Sequence, residues 1–197
     1  DAFNLKSEFK DLCIIEVSGK EEPSYDSLRK YLEEAKQFNV DIILGIGGGS
    51  CMDVSKAVGG LLKNHGDPID FRGFDKVINP GVPVYLIPTT AGTGSEASFN
   101  ASLVDKDSNK KLGINGINMF AKKSFLDGKT TLSCPRMPAV GASVDAIVHA
   151  MEGYVCNNSN LFSDMYAEAA IELMINSILD LNSEEPSIEQ RLNLLKG

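Results

Sequence analysis

The stretch Val40-Asp-Ile-Ile-Leu-Gly-Ile-Gly-Gly-Gly-Ser50-Cys-Met-Asp-Val-Ser-Lys-Ala57 decides the fold. Ile42, Ile43, Leu44 and Ile46 form a short apolar run that predicts a strand buried on both faces. Gly47, Gly48 and Gly49 follow as a turn without side chains. Ser50 then opens a helical spacing with Met52, Val54, Val58 and Leu61, and its hydroxyl suits the N-cap. A strand that turns through glycines into a helix start is a phosphate cradle. Its backbone N–H groups are bare and the helix start carries partial positive charge. Ser50 stands where the G-x-G-x-x-G fingerprint has its last glycine, and no Gly-Lys-Ser/Thr of a P-loop follows. On the glycines alone, a tight connection that binds nothing stays open, although three in a row exceed what a turn needs.

Working outward, the segment from Cys13 to Val17 reads as a strand. Pro23-Ser24 leads into a helix with Leu28, Tyr31, Leu32, Ala35 and Phe38 at helical spacing. Strand and helix in alternation predict right-handed crossovers and a Rossmann-like parallel sheet, with ligands beyond the carboxyl ends of its strands. Asn64 to Gly81 is a polar connection that holds His65, read as a solvated loop residue. Val82 to Ile87 is a further strand, and it runs into Pro88-Thr-Thr-Ala-Gly-Thr-Gly-Ser-Glu96. Hydroxyls of Thr89, Thr90, Thr93 and Ser95 between glycines can approach a phosphate, ribose or amide closely. The plainer alternative is a Ser/Thr-rich turn that caps itself. Ala97 to Asp105 and Lys110 to Ile114 form a hairpin pattern, with Lys111 just past its turn. Ser124 to Asp127 is a short strand candidate.

Past Pro135 and Pro138 the pattern becomes helical: Val140 to Cys156, Leu161 to Leu181, and a third helix from Ile188. The chain therefore divides into an α/β nucleotide-binding domain over residues 1–134 and an all-helical domain over residues 135–197. The latter is expected to be incomplete. The opening, Ala2 to Leu12, reads as half a helix where a strand would be usual, so the chain is expected to lack both ends of a longer protein. Within the first long helix, Asp145-Ala-Ile-Val-His149 puts a carboxylate and an imidazole on one face, a turn apart. Such a pair suits Fe(II), Zn(II), Ni(II) or Mn(II), but on spacing alone it is as compatible with a surface pair. Ala142, Val144, Ala146, Ile147, Val148, Ala150 and Met151 around it predict a largely buried helix, in which both groups need partners. G-x-S-x-G and H-E-x-x-H are absent, and two histidines leave almost nothing for a Ser-His-Asp triad.

At 197 residues with a formal charge of −8, the chain can bury a core but offers no basic surface for nucleic acid or an anionic membrane. No apolar run spans a bilayer, and the first residues lack the layout of a signal peptide. Cys13, Cys51, Cys134 and Cys156 form no C-x-x-C pair and read as free thiols of a reducing cytoplasm.

Three motifs in order carry a family resemblance: Gly47 to Ser50 with Asp53 and Lys56-Ala57; Ile87 to Glu96; and Gly141-Ala-Ser-Val-Asp145-Ala-Ile-Val-His149-Ala-Met-Glu-Gly-Tyr154. From about residue 13 to the end, the chain resembles the iron-containing (group III) alcohol dehydrogenases. The resemblance implies NAD or NADP in a cleft between the two domains, Fe2+ (with Zn2+ allowed), a small alcohol or aldehyde substrate, and possible assembly into a homo-oligomer. It assigns the pyrophosphate to Gly48, Gly49 and Ser50. Thr89, Thr90 and Thr93, with Ser98 and Asn100 on the following strand, line the rest of the coenzyme path, and Lys111 lies near the nicotinamide ribose. Asp145 and His149 match the first two of four metal ligands. The other two are histidines further along, and no histidine follows His149 here, so this segment alone is expected to be inactive. Two rivals remain: a non-catalytic nucleotide-binding module, and a zinc polyol dehydrogenase or dehydroquinate-synthase-like enzyme of the same superfamily.

Overall fold

The computed structural model of the protein describes residues 12–19, 21–182 and 187–197. The half-helix expected over residues 2–12 lies outside them except for Leu12. Helix α1 (Tyr25–Lys36) starts where the Pro-Ser pair predicts. Ser24 Oγ accepts from the Ser27 N–H at 3.3 Å, and the Ser24 N–H donates to Ser27 Oγ at 2.9 Å. This reciprocal cap satisfies two donors that a helix start otherwise leaves open. Strand β1 (Ile43–Gly47), helix α2 (Gly49–Leu61), a 3₁₀ turn (Pro68–Phe71) and the short strand β2 (Gly73–Phe74) follow. Then come β3 (Val84–Pro88), β4 (Asn100–Asp105), β5 (Lys110–Asn115) and β6 (Lys123–Ser124). Helices α3 (Arg136–Val155), α4 (Leu161–Ile178) and α5 (Ile188–Lys196) complete the order.

The α/β expectation holds. Strands β1, β3 and β6 form a parallel sheet in the order β1-β3-β6, with Ile43 opposite Val84 and Gly47 opposite Pro88. That register brings the carboxyl ends of β1 and β3 to one level, so the glycine turn and the Thr-rich loop start side by side. The expected hairpin forms a second sheet in the order β2-β5-β4, with Asn100 opposite Asn115 and Asp105 opposite Lys110. Helix α2 lies between the sheets and touches β1, β3 and β4, which is why it is apolar on most sides. One core joins α1, α2 and the hairpin through Leu28, Leu61, Leu103 and Ile114. A small one sets Met52 against Val84 and Leu86. A third joins α3, α4 and α5 through Ala139, Ala146, Met174 and Leu194, and takes in Ala91 from the Thr-rich loop.

Several expectations need correction. Residues 13–17 find no ladder partner among the described residues; they run as extended chain, with Ile15 and Val17 packed on the first core. Strand β1 is not buried on both faces, because it sits at the sheet edge and Leu44 is 47% exposed. The connection after α2 is more ordered than its polarity suggests. Buried Asn64 donates from Nδ2 to Gly60 O and Asn79 O, each at 2.8 Å, and accepts from the Asn79 N–H at 3.2 Å. His65 is exposed, as expected. Helix α3 starts at Arg136, since Pro138 falls in the first turn, where its missing N–H costs nothing. Its burial is far from complete: Ala139, Ser143 and Ala146 are buried, whereas Val144, Val148 and Met151 are exposed. Helix α4 gives way at Leu179 to a 3₁₀ turn (Leu179–Asn182).

Candidate functional site

The cradle is built two residues earlier than the hydroxyl of Ser50 suggests. Gly48, in extended conformation, is the N-cap of α2, and Ser50 is the exposed second residue of the helix. No side chain among the described residues caps this helix start, so its first-turn amides are left to solvent or a ligand. The Met52 N–H makes the first helical bond, to Gly48 O at 3.0 Å. Below, the Cys51 thiol donates to Ile46 O at 3.4 Å, and burial pushes its pKa up.

The Thr-rich loop lies directly against the glycines. The Thr89 N–H donates to Gly47 O at 2.9 Å. A Cβ at Gly48 would stand 3.1 Å from Thr90 Oγ1, and one at Gly49 only 2.8 Å from Thr93 Cγ2. A side chain at residue 49 would therefore displace Thr93. Gly48, Gly49, Ser50, Thr89, Thr90 and Thr93 thus come together at one sheet edge.

A buried ion pair under this loop escaped the sequence reading. Lys56, fully buried, has its Nζ 3.2 Å from Asp53 Oδ1. It donates to Ser95 O at 2.7 Å, to Ser98 Oγ at 3.2 Å and to Asn100 O. Asp53 accepts from the Ser95 hydroxyl at 2.6 Å and from the Ser102 N–H at 2.9 Å. Burial pulls the Lys56 pKa down, and Asp53 works against that. Ser98 belongs to the turn before β4 rather than to the strand; Asn100 is the first residue of β4. Asn100 Oδ1 and Glu96 Oε2 are buried without a hydrogen-bond partner among the described residues. Burial also pushes the Glu96 carboxyl up, with Lys56 opposing. The sequence signal for this network was a single Asp-x-x-Lys step on an otherwise apolar helix.

Lys111 is not brought to the loops. It stands opposite Val104, four residues along β4 from Asn100, or about 13 Å at strand rise. Its Nζ pairs with Glu22 Oε1 at 2.8 Å.

Helix α3 reaches the site through Gly92. Its φ is +134°, and a Cβ there would collide with the Ala142 carbonyl, so loop and helix meet backbone to backbone. Asp145 and His149 lie three and seven residues beyond Ala142, on the same helical face. His149 Nε2 is 3.9 Å from Asp145 Oδ1, and both side chains are more than half exposed. They are one turn apart on a solvent-open face of the helix. Among the described residues no group of three or more His, Cys, Asp or Glu side chains is arranged to hold a metal ion.

The glycine turn, the hydroxyl-lined loop against it and the carboxylate–imidazole pair on α3, the helix that meets this loop at Gly92, are the parts of the candidate site. The family comparison carries this further. The model described as iron-containing alcohol dehydrogenase matches residues 4–128, and that of the Fe-containing alcohol dehydrogenase family, C-terminal, matches residues 139–197. The chain belongs to the iron-containing alcohol dehydrogenase family. It is 44% identical over 134 residues to sulfoacetaldehyde reductase of Bilophila wadsworthia, a match covering 68% of this chain and 34% of that protein. An iron-containing alcohol dehydrogenase from Thermotoga maritima superposes with a TM-score of 0.83 at 32% identity, over 98% of this chain and 53% of its own. Sulfoacetaldehyde reductase from Bifidobacterium kashiwanohense, solved in complex with NAD+, does so with a TM-score of 0.83 at 25% identity, over 90% of this chain and 47% of its own. The chain thus spans between a third and about half of these relatives' length.

Proposed function

We propose that the protein containing this chain is a metal-dependent, NAD(P)-linked alcohol dehydrogenase that interconverts a small alcohol and its aldehyde. The observation that carries the reading is the contact of Thr90 and Thr93 with Gly48 and Gly49 at an uncapped helix start. The residues fit a dinucleotide. The first-turn amides of α2 suit its diphosphate, which needs no side chain at residues 48 and 49. Thr89, Thr90 and Thr93 offer hydroxyls along the path. Asp145 and His149 fit a divalent cation as two of its ligands, one hard oxygen and one imidazole. Two donors do not complete a site, so the 197 residues alone are expected to be inactive. When bound, the metal supplies Lewis acidity toward the alcohol oxygen and the coenzyme accepts or returns the hydride. The chain's own residues hold the diphosphate, orient the nicotinamide end and fix the ion's position on α3. Lys111, engaged by Glu22, takes part only if that exposed pair opens. Unpaired thiols support a cytoplasmic setting, and among the described residues no helix is long and apolar enough to cross a membrane.

The test is made on the full-length protein with Fe(II) or Zn(II) added. Alcohol-dependent formation of NADH or NADPH is expected. Gly49→Val should abolish coenzyme binding, measured by calorimetry. His149→Ala should lose metal and at least about 100-fold of activity while coenzyme still binds. Absence of any NAD(H) or NADP(H) binding by the wild-type protein would overturn the proposal.

A further inference from the structure

Taking that coenzyme reading as its basis, we infer that Lys56 is the positioning residue of the site: from inside α2 it sets the place of residues 95–100 against the glycine cradle. Helix α2 needs no lysine for its own sake. The acceptors of the Lys56 ammonium, Asp53 apart, lie on the Thr-rich loop and the start of β4: Ser95 O, Ser98 O and Oγ, and Asn100 O. Asp53, one turn earlier, takes the Ser95 hydroxyl and the Ser102 N–H. Two side chains of one helix thus grip the segment at both ends and in its middle. A carbonyl turned inward onto a buried ammonium cannot swing out without stranding the charge, and removing one member of such a pair is strongly unfavourable.

The geometry gives this grip a direction. The N-terminus of α2 makes the cradle, and the same helix two turns later holds the loop that carries Ser98 and the start of β4 at Asn100. Thr93, just before the gripped segment, rests on Gly49. Diphosphate-binding amides and loop hydroxyls are therefore fixed to one rigid body. An apolar side chain at residue 56 would pack α2 as its neighbours do. It would leave the carbonyls of Ser95 and Asn100 without their donor, and the loop would turn to find others.

The experiment compares Lys56→Met and Lys56→Arg with Leu32→Ala, a core truncation on α1, in the full-length protein. It reads coenzyme Kd by NADH fluorescence, KM for coenzyme and for alcohol, and hydrogen exchange over residues 89–102. Lys56→Met is expected to raise coenzyme Kd and KM about tenfold to a hundredfold, leave the KM for alcohol near wild type, and speed exchange in that segment. Lys56→Arg, which keeps the charge, should recover part of the affinity. Leu32→Ala should lower Tm without moving coenzyme Kd. Unchanged Kd and exchange in Lys56→Met would make Lys56 a stability residue only and overturn the inference. Should Lys56→Met not fold, Asp53→Asn is read the same way, and wild-type affinity there overturns it. If the wild type binds no coenzyme while Lys56→Met still loosens residues 89–102, the coenzyme reading falls and the positioning of the loop stands.

Discussion

Helices α2 and α3 are both rich in apolar residues, and each carries a charged or titratable pair one turn apart. Nine residues of α2 are buried, against three of α3. In α2 the pair is Asp53 and Lys56, sealed between two sheets and bonded to the loop above it. In α3 the pair is Asp145 and His149, open to solvent among exposed Val144, Val148 and Met151. The contrast separates two uses of polar chemistry. A buried charge is committed to its partners and shapes the backbone around it. An exposed pair at the same kind of spacing stays available, and the apolar surface around it marks a face that other residues or a ligand can cover.

The largest expected effect tests that contrast in packing. Leu61→Ala in α2 should cost about 2 to 5 kcal/mol in urea denaturation, whereas Val148→Ala in α3 should stay within about 0.5 kcal/mol. Equal costs would mean that α3 is covered after all. Next comes the joint between the two regions. Gly92→Ala forces a strained φ, worth about 1 to 3 kcal/mol, and a collision with Ala142. A lower Tm with faster hydrogen exchange over residues 139–146 is expected, and the wild-type rate there would remove Gly92 as the joint.

The smallest effect sharpens the picture on the committed side. Buried Tyr25 donates to Leu112 O at 3.0 Å. Burial pushes its phenol up to about 12, with Arg72 pulling it down and Asp105 raising it further. The unfolded tyrosine titrates near about 10. Between these values the unfolded chain binds fewer protons than the native one, so stability falls as pH rises. Tyr25→Phe should cost about 1 kcal/mol at neutral pH and flatten that alkaline decline, as read from Tm against pH.

Much of this arrangement was legible in the residues. The strand, glycine turn and helix of residues 42–62, the hairpin and the three late helices all follow from short-range patterns. The misses have physical causes. Ser50 looked like an N-cap because a hydroxyl is the usual signal, but glycine caps without a side chain and so leaves no mark. Residues 13–17 alternate like a strand, yet pairing depends on a partner that local sequence does not name. Strand β2 is two residues long and joins β5 across 41 positions. The grip of Lys56 on Ser95 and Asn100 likewise spans 39 and 44 positions. The apolar spacing of α3 predicts that a face wants covering; it does not say that described residues do the covering.

The amide of Asn64 has a last consequence. By bonding Gly60 and Asn79 together it ties the neck of the excursion that carries the Pro68–Phe71 turn and β2. Within that excursion β2 pairs with β5 and buried Val77 joins the first core, so the stretch is anchored to the second sheet as well as at its neck. The tie falls at Gly60, near the C-terminal end of α2, so the excursion closes on the far end of the helix from the cradle at Gly48 and Gly49.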